Sequence, residues 1–86
     1  MPTISVFFGI IIRMYHREHA PPHFHAFYSG EHAIIDIGTL QVKEGRLPRR
    51  ALDMVLEWAS IHRRELMMNW NLAQERKPLL KIEALE

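Results

Sequence analysis

Apolar and polar positions alternate in short runs from Ile4 to Glu44, and from Arg49 onward apolar residues recur at helical spacing instead. The first half therefore reads as strands and the second as helix. Ile4 to Phe8 and Gly9 to Tyr15, rich in Ile and Phe, form one strand or two broken by a bulge at Gly9. Within them Ile10, Ile12 and Met14 share a face, and Ile11, Arg13 and Tyr15 share the opposite one. After a polar, Pro-bearing connection from His16 to Pro22, further strands are predicted at His23–Tyr28, Glu31–Ile37 and Leu40–Glu44. Ser29-Gly30 and Gly38-Thr39 between them are two-residue hairpin turns.

The two turns set a register that the hydrophobic pattern can check. A turn at Ser29-Gly30 pairs Tyr28 with Glu31, Ala26 with Ala33, Phe24 with Ile35 and His23 with Asp36. A turn at Gly38-Thr39 pairs Ile37 with Leu40 and Ile35 with Val42. Phe24, Ala26, Tyr28, Ala33, Ile35, Ile37, Leu40 and Val42 then lie on one face, which is the core face. The other face collects His23, His25, Phe27, His32, Ile34, Asp36, Gln41 and Lys43, joined by Arg13 and Tyr15 if the first strand pairs antiparallel. Sliding the first turn to Gly30-Glu31 sets Asp36 against His25 and leaves it on the histidine face.

Pro48 suits the first turn of a helix, and no Gly or Pro follows until Pro78. Leu52, Val55, Leu56, Ala59, His62 and Leu66 make an amphipathic stripe, widened by Met54, Trp58 and Ile61. One helix of that length would span roughly 40 Å, long for so small a domain. A break is expected near Arg63-Arg64-Glu65, followed by a second helix to about Glu75 and a tail, Leu79 to Leu85, that can add an edge strand. The fold class is α+β: a three- to four-stranded antiparallel meander with two C-terminal helices packed on one face, as a single domain over residues 1–86.

Composition narrows the function. The chain has 86 residues, 48% of them apolar, enough for one modest core. No cysteine means no disulfide, thiolate metal site or cysteine nucleophile, in keeping with a reducing, cytoplasmic setting. The first residues lack a basic region and the apolar run ends at Arg13, so neither a signal peptide nor a membrane span is expected. A net charge of +1 is too small for bulk attraction to nucleic acid; only a local patch could supply it.

The candidate chemistry is concentrated in His19-Ala-Pro-Pro-His-Phe-His25, which holds three of the six histidines. On a strand His23 and His25 point to the same side, about 6–7 Å apart at the backbone. With His19 they form a candidate metal set, and Asp36 could add an oxygen ligand suited to Zn²⁺, Ni²⁺ or Mn²⁺. Alternatively, His23 and His25 oriented by Asp36 could carry general acid–base catalysis, the chemistry of a metal-independent ribonuclease. Plain packing and hydrogen bonding on a half-buried face would use the same residues. Arg13, Tyr15, Lys43, Arg49 and Arg50 are candidate binding residues, the last two because cations in a first helical turn oppose the helix dipole. Met67, Met68 and Trp70 are apolar beyond what one small sheet can cover, so they can reach a partner or a second copy of the chain.

Several runs together resemble the bacterial domain of unknown function 4160 family. They are Met1-Pro-Thr-Ile4, Gly9 to Tyr15, His19 to Ala26, Leu47-Pro-Arg-Arg50, Glu57-Trp58, His62 with Glu65-Leu66, Trp70 and Lys81-Ile82. The family's hallmark positions fall here on His19, Pro21, Pro22, His23, Phe24 and His25. Ala84 stands where a proline is usual, and His16 where Tyr or a polar residue is usual. The resemblance implies a small cytoplasmic protein with no established activity, often one half of a toxin–antitoxin-like gene pair. The preferred reading is thus a non-enzymatic module that binds a protein encoded nearby, or a nucleic acid, with a homodimer as a further option. A histidine-based ribonuclease and a metal-binding protein are the alternatives, and no cofactor is assigned beyond that divalent metal.

Overall fold

The computed structural model describes residues 2–86; Met1, which opens the Met1–Ile4 run, lies outside them. Strands β1 (Thr3–Phe7), β2 (Ile10–Arg13), β3 (His23–Tyr28), β4 (Glu31–Asp36) and β5 (Val42–Gly45) are followed by helices α1 (Arg49–Ile61) and α2 (Arg63–Gln74). The fold is α+β, with one antiparallel sheet whose strands lie in sequence order.

The sheet has five strands rather than three or four, because the chain reverses fully at Phe8-Gly9 instead of bulging there. Phe8 and Gly9 take φ values of 49° and 80°, as a tight hairpin turn of the type matched to strand twist requires. Phe7 therefore pairs with Ile10, and Val6 with Ile11. The second hairpin follows the hydrophobic pattern: Ser29-Gly30 is the turn, and His23↔Asp36, Phe24↔Ile35, Ala26↔Ala33 and Tyr28↔Glu31 are partners. β2 joins through Ile12↔Ala26 and Arg13↔His25, which brings Arg13 onto the histidine face.

The last hairpin departs from expectation. Leu40 adopts φ 59°, and the loop closes through Leu40 N–H to Asp36 C=O (2.8 Å) and Asp36 N–H to Gln41 C=O (2.9 Å). The Ile37–Leu40 pair is therefore not formed, and the strand begins at Val42 rather than Leu40, although Ile35↔Val42 holds. The register then shifts so that Ile34 meets Glu44, and β5 is exposed throughout, Val42 included. Gly45 lets β5 run this close to β4: a Cβ there would sit 2.0 Å from the His32 carbonyl oxygen, and its φ is +76°.

The helices cover the face bearing Phe24, Ala26, Ala33, Ile35 and Ile37, all fully buried with Ile4, Ile10, Ile12 and Met14. Trp58 of α1 fills the centre, tilted against Phe7 (5.4 Å) and edge-on to Phe24 (5.9 Å). The helix break falls at His62, one residue before the expected Arg63-Arg64-Glu65. There φ is −111°, the His62 N–H still reaches Trp58 C=O, and its ring is bonded to the Glu65 carboxylate in the first turn of α2. The tail forms no strand. Ile82 N–H instead donates to Ile4 C=O (2.8 Å), the Trp58 indole N–H donates to Glu83 C=O (2.8 Å), and the Asn69 amide brackets Leu80. The free edge of β1 is thereby covered in part, at Thr3 and Ile4, while that of β5 is open. No helix is long and apolar enough to cross a membrane among the described residues.

Candidate functional site

On the sheet face opposite Phe24 and Ala26, which α2 reaches at one end, alternation along β3 places His23, His25 and Phe27 side by side. His25 is buried, with only 6% of its side chain exposed. Tyr15 meets its ring edge-on at 4.6 Å, and Phe27 and His32 flank it. Phe27 lies between the Arg13 guanidinium, 5.1 Å from its centroid, and the His32 ring stacked at 4.3 Å. Trp70 of α2 packs on His23 at 5.2 Å.

The carboxylate at the centre of this cluster belongs to Glu18. Its Oε1 lies 2.7 Å from His25 Nε2 and 3.1 Å from His23 Nε2. The other ring nitrogens are also engaged: His23 Nδ1 donates to Pro21 C=O at 2.9 Å, and His25 Nδ1 meets His32 Nε2 at 2.9 Å. Burial, and then the neighbouring His25, hold His32 below the ordinary imidazole value, which favours its neutral form. Glu18 is placed by α2 rather than by the sheet: Arg17 N–H donates to Ala73 C=O (3.3 Å), the Gln74 amide donates to Glu18 C=O (3.2 Å), and the His16 ring reaches Lys77 C=O.

Of the residues expected to act chemically, His23 and His25 are brought together. Asp36 is not their carboxylate, although it is the cross-strand partner of His23. Its Oδ1 accepts the Thr39 N–H at 2.8 Å across the open β4–β5 loop, and that backbone bond above all holds its carboxyl below the usual range. His19 likewise gives way to Glu18: Glu18, His23 and His25 each offer a ligand atom, all within 4.8 Å of one another, whereas His19 is exposed and lines the cleft beside them. That cleft, about 260 Å³, also takes in Pro21, Lys43 and Glu44. Arg13, Tyr15 and Lys43 thus surround the histidine face. Arg49 and Arg50 do not; they stand at the start of α1, where Arg49 pairs loosely with Asp53 at 3.8 Å.

The pattern missed Glu18, His32 and Trp70 as site residues. His32 could have been found, since the Ser29-Gly30 turn sets it opposite Phe27 and diagonal to His25. Glu18 and Trp70 could not, because long-range packing of α2 places both.

A second feature lies at the elbow of α1 and α2. Ile61, Met67, Met68, Arg63 and Arg64 line an open groove of about 940 Å³, in which Ile61 is 63% and Met68 52% exposed. Arg49 and Arg50 are at the other end of α1, about 18 Å away along its axis.

No curated protein and no solved structure matches the chain. The model of a domain of unknown function (DUF4160) matches residues 9–71, from the first hairpin turn into α2 and across the whole Glu18–His32 cluster. The chain belongs to the DUF4160 family.

Proposed function

We propose that this chain is a non-enzymatic binding module, one component of a toxin–antitoxin-like gene pair, which engages a partner protein at the α1–α2 elbow. The observation that carries the reading is the exposure of Ile61 and Met68 together, beside Arg63 and Arg64, in one groove. Two large apolar side chains in water on one patch are a cost that a partner removes. Methionine adapts its shape to an incoming surface, and arginine is enriched at interfaces. The complementary surface is an apolar segment carrying carboxylates. A protein fits better than a nucleic acid because Glu65 lies in the groove and the net charge is only +1.

The test is co-expression with the neighbouring gene product, followed by gel filtration and pull-down. A complex that survives high salt and is lost in the Ile61→Asp/Met68→Asp double variant, with the melting temperature of the free chain unchanged, supports the reading. Nucleic acid that copurifies with the chain and is released steeply by salt would assign the groove to nucleic acid. Elution of the chain alone as a dimer that the same variant dissociates would assign it to a second copy.

A second reading, acid–base cleavage of RNA, draws on the Glu18–His25–His32 hydrogen-bonded relay. Cleavage by the purified chain that is indifferent to chelators and lost in His25→Gln would replace the binding reading.

A further inference from the structure

We infer that Glu18, His23 and His25 form a divalent transition-metal site with zinc-type N₂O ligation. The argument begins with the protons. Pro21 C=O can only accept, so His23 Nδ1 carries the proton that joins them at 2.9 Å. In neutral His23 the Nε2 facing Glu18 is then a bare lone pair, held 3.1 Å from a carboxylate oxygen. Two acceptors at that distance repel unless they share a proton or a metal ion, and a metal ion can engage the second histidine as well.

His25 repeats the arrangement. When its Nδ1–H donates to His32 Nε2, its own Nε2 lone pair also points at Glu18 Oε1, 2.7 Å away. Two imidazole nitrogens and a carboxylate oxygen therefore converge, with the far nitrogen of each ring anchored by a hydrogen bond. Metal-binding histidines are oriented in this way, the outer hydrogen bond fixing the tautomer that leaves the ligating nitrogen free.

Tetrahedral zinc with bonds of about 2.0–2.2 Å holds neighbouring ligand atoms roughly 3.3 Å apart. Glu18 Oε1 is already near that spacing from His23 Nε2, at 3.1 Å, and at 2.7 Å it needs to withdraw from His25 Nε2 by roughly half an ångström. The three atoms lie within 4.8 Å of one another, so the two ring nitrogens close by up to about 1.5 Å as the ion binds. Glu18 sits on a loop and keeps 28% of its side chain exposed, so it can follow the ion. The 260 Å³ cleft opens on the same side, past His19, Lys43 and Glu44, and leaves room for water or a fourth ligand. Three protein ligands with one open position are the arrangement of sites that activate water or bind an exchangeable ligand. The inference does not depend on the α1–α2 groove, and each can fail without the other.

The experiment uses untagged, chelator-treated chain titrated with Zn²⁺ by calorimetry, and with Co²⁺ by visible absorption. The expected result is one ion per chain, the intense visible bands of four-coordinate Co²⁺, and a higher melting temperature with metal. Glu18→Gln should weaken Zn²⁺ binding by 10- to 100-fold while the metal-free melt stays close to that of the parent. His23→Gln should do the same, and Glu57→Gln, exposed on α1 away from the cluster, should leave affinity unchanged. If the chain takes up no ion at micromolar Zn²⁺, or binds it equally well in Glu18→Gln, the inference is overturned and the cluster is an ion pair with His23 doubly protonated. Co²⁺ showing only the pale spectrum of its six-coordinate aqua ion would overturn it as well.

Discussion

Replacing Asn69 with Ala tests how the tail is held to the body of the domain. Asn69 is only 1% exposed, and its amide makes two bonds to one residue: Leu80 N–H donates to Oδ1 and Nδ2 donates to Leu80 C=O, each at 2.9 Å. Neutral hydrogen bonds of this kind contribute about 0.5–1.5 kcal/mol each. Leu80 itself is 54% exposed, so once released its backbone groups are near water and escape the full penalty of buried, unpaired polar atoms. The loss is then about 2 kcal/mol, which for a domain of this size lowers the melting temperature by about 8–16 °C. Thermal melts and limited trypsin digestion read the two halves of the effect. The variant should melt earlier and be cut after Lys81 under conditions that spare the parent. A melt within about 2 °C of the parent, with Lys81 still protected, would show that the Trp58–Glu83 and Ile82–Ile4 bonds hold the tail alone and refute the reasoning. Asn69→Asp keeps the acceptor and loses the donor, so it should be at least as unstable at neutral pH and regain stability on acidification.

Two further outcomes follow from local geometry. Gly45→Ala sets a methyl group against the His32 carbonyl at a left-handed backbone position, so β5 should detach; loss of amide-exchange protection in Arg46, whose N–H donates to that carbonyl, with α1 and α2 unaffected, is the readout. Asp36 has its carboxyl value lowered, chiefly by the Thr39 N–H, so its contribution is present above the ordinary value of 3.8 and is lost as pH falls through the lower folded value. Asp36→Asn should therefore flatten the acid limb of stability against pH, and an unchanged limb would count against the capping role.

What the sequence revealed, and what it hid, follows from the range of the interactions involved. The Ser29-Gly30 hairpin and its register were readable because a two-residue turn and an alternating apolar face specify the same pairing independently. Phe8-Gly9 was ambiguous, since a glycine in a continuous apolar run suits a bulge as well as a turn, and the left-handed conformation of Phe8 decides it. Asp36 shares the histidine face by parity, yet parity says nothing about where a short carboxylate finds its nearest donor, and Thr39 is local. Glu18 was out of reach. Its loop runs where Ala73 and Gln74 hold it, more than fifty residues away along the chain.

The two sheet edges also bear on how the molecule avoids polymerising. An uncovered strand is a template for pairing with another chain, above all when it is apolar. β5 is the open edge, and it answers with Lys43, Glu44, a register break and a glycine, which together make a poor template for a long added strand. β1 is the more dangerous edge, since exposed Val6 and Phe8 lie in or beside it, and the tail occupies part of it through Ile82 and Lys81. The tail thus acts as a guard as well as a brace. A change that frees it, Asn69→Ala among them, exposes an apolar strand to other copies, so loss of solubility on warming should track tail release more closely than global unfolding.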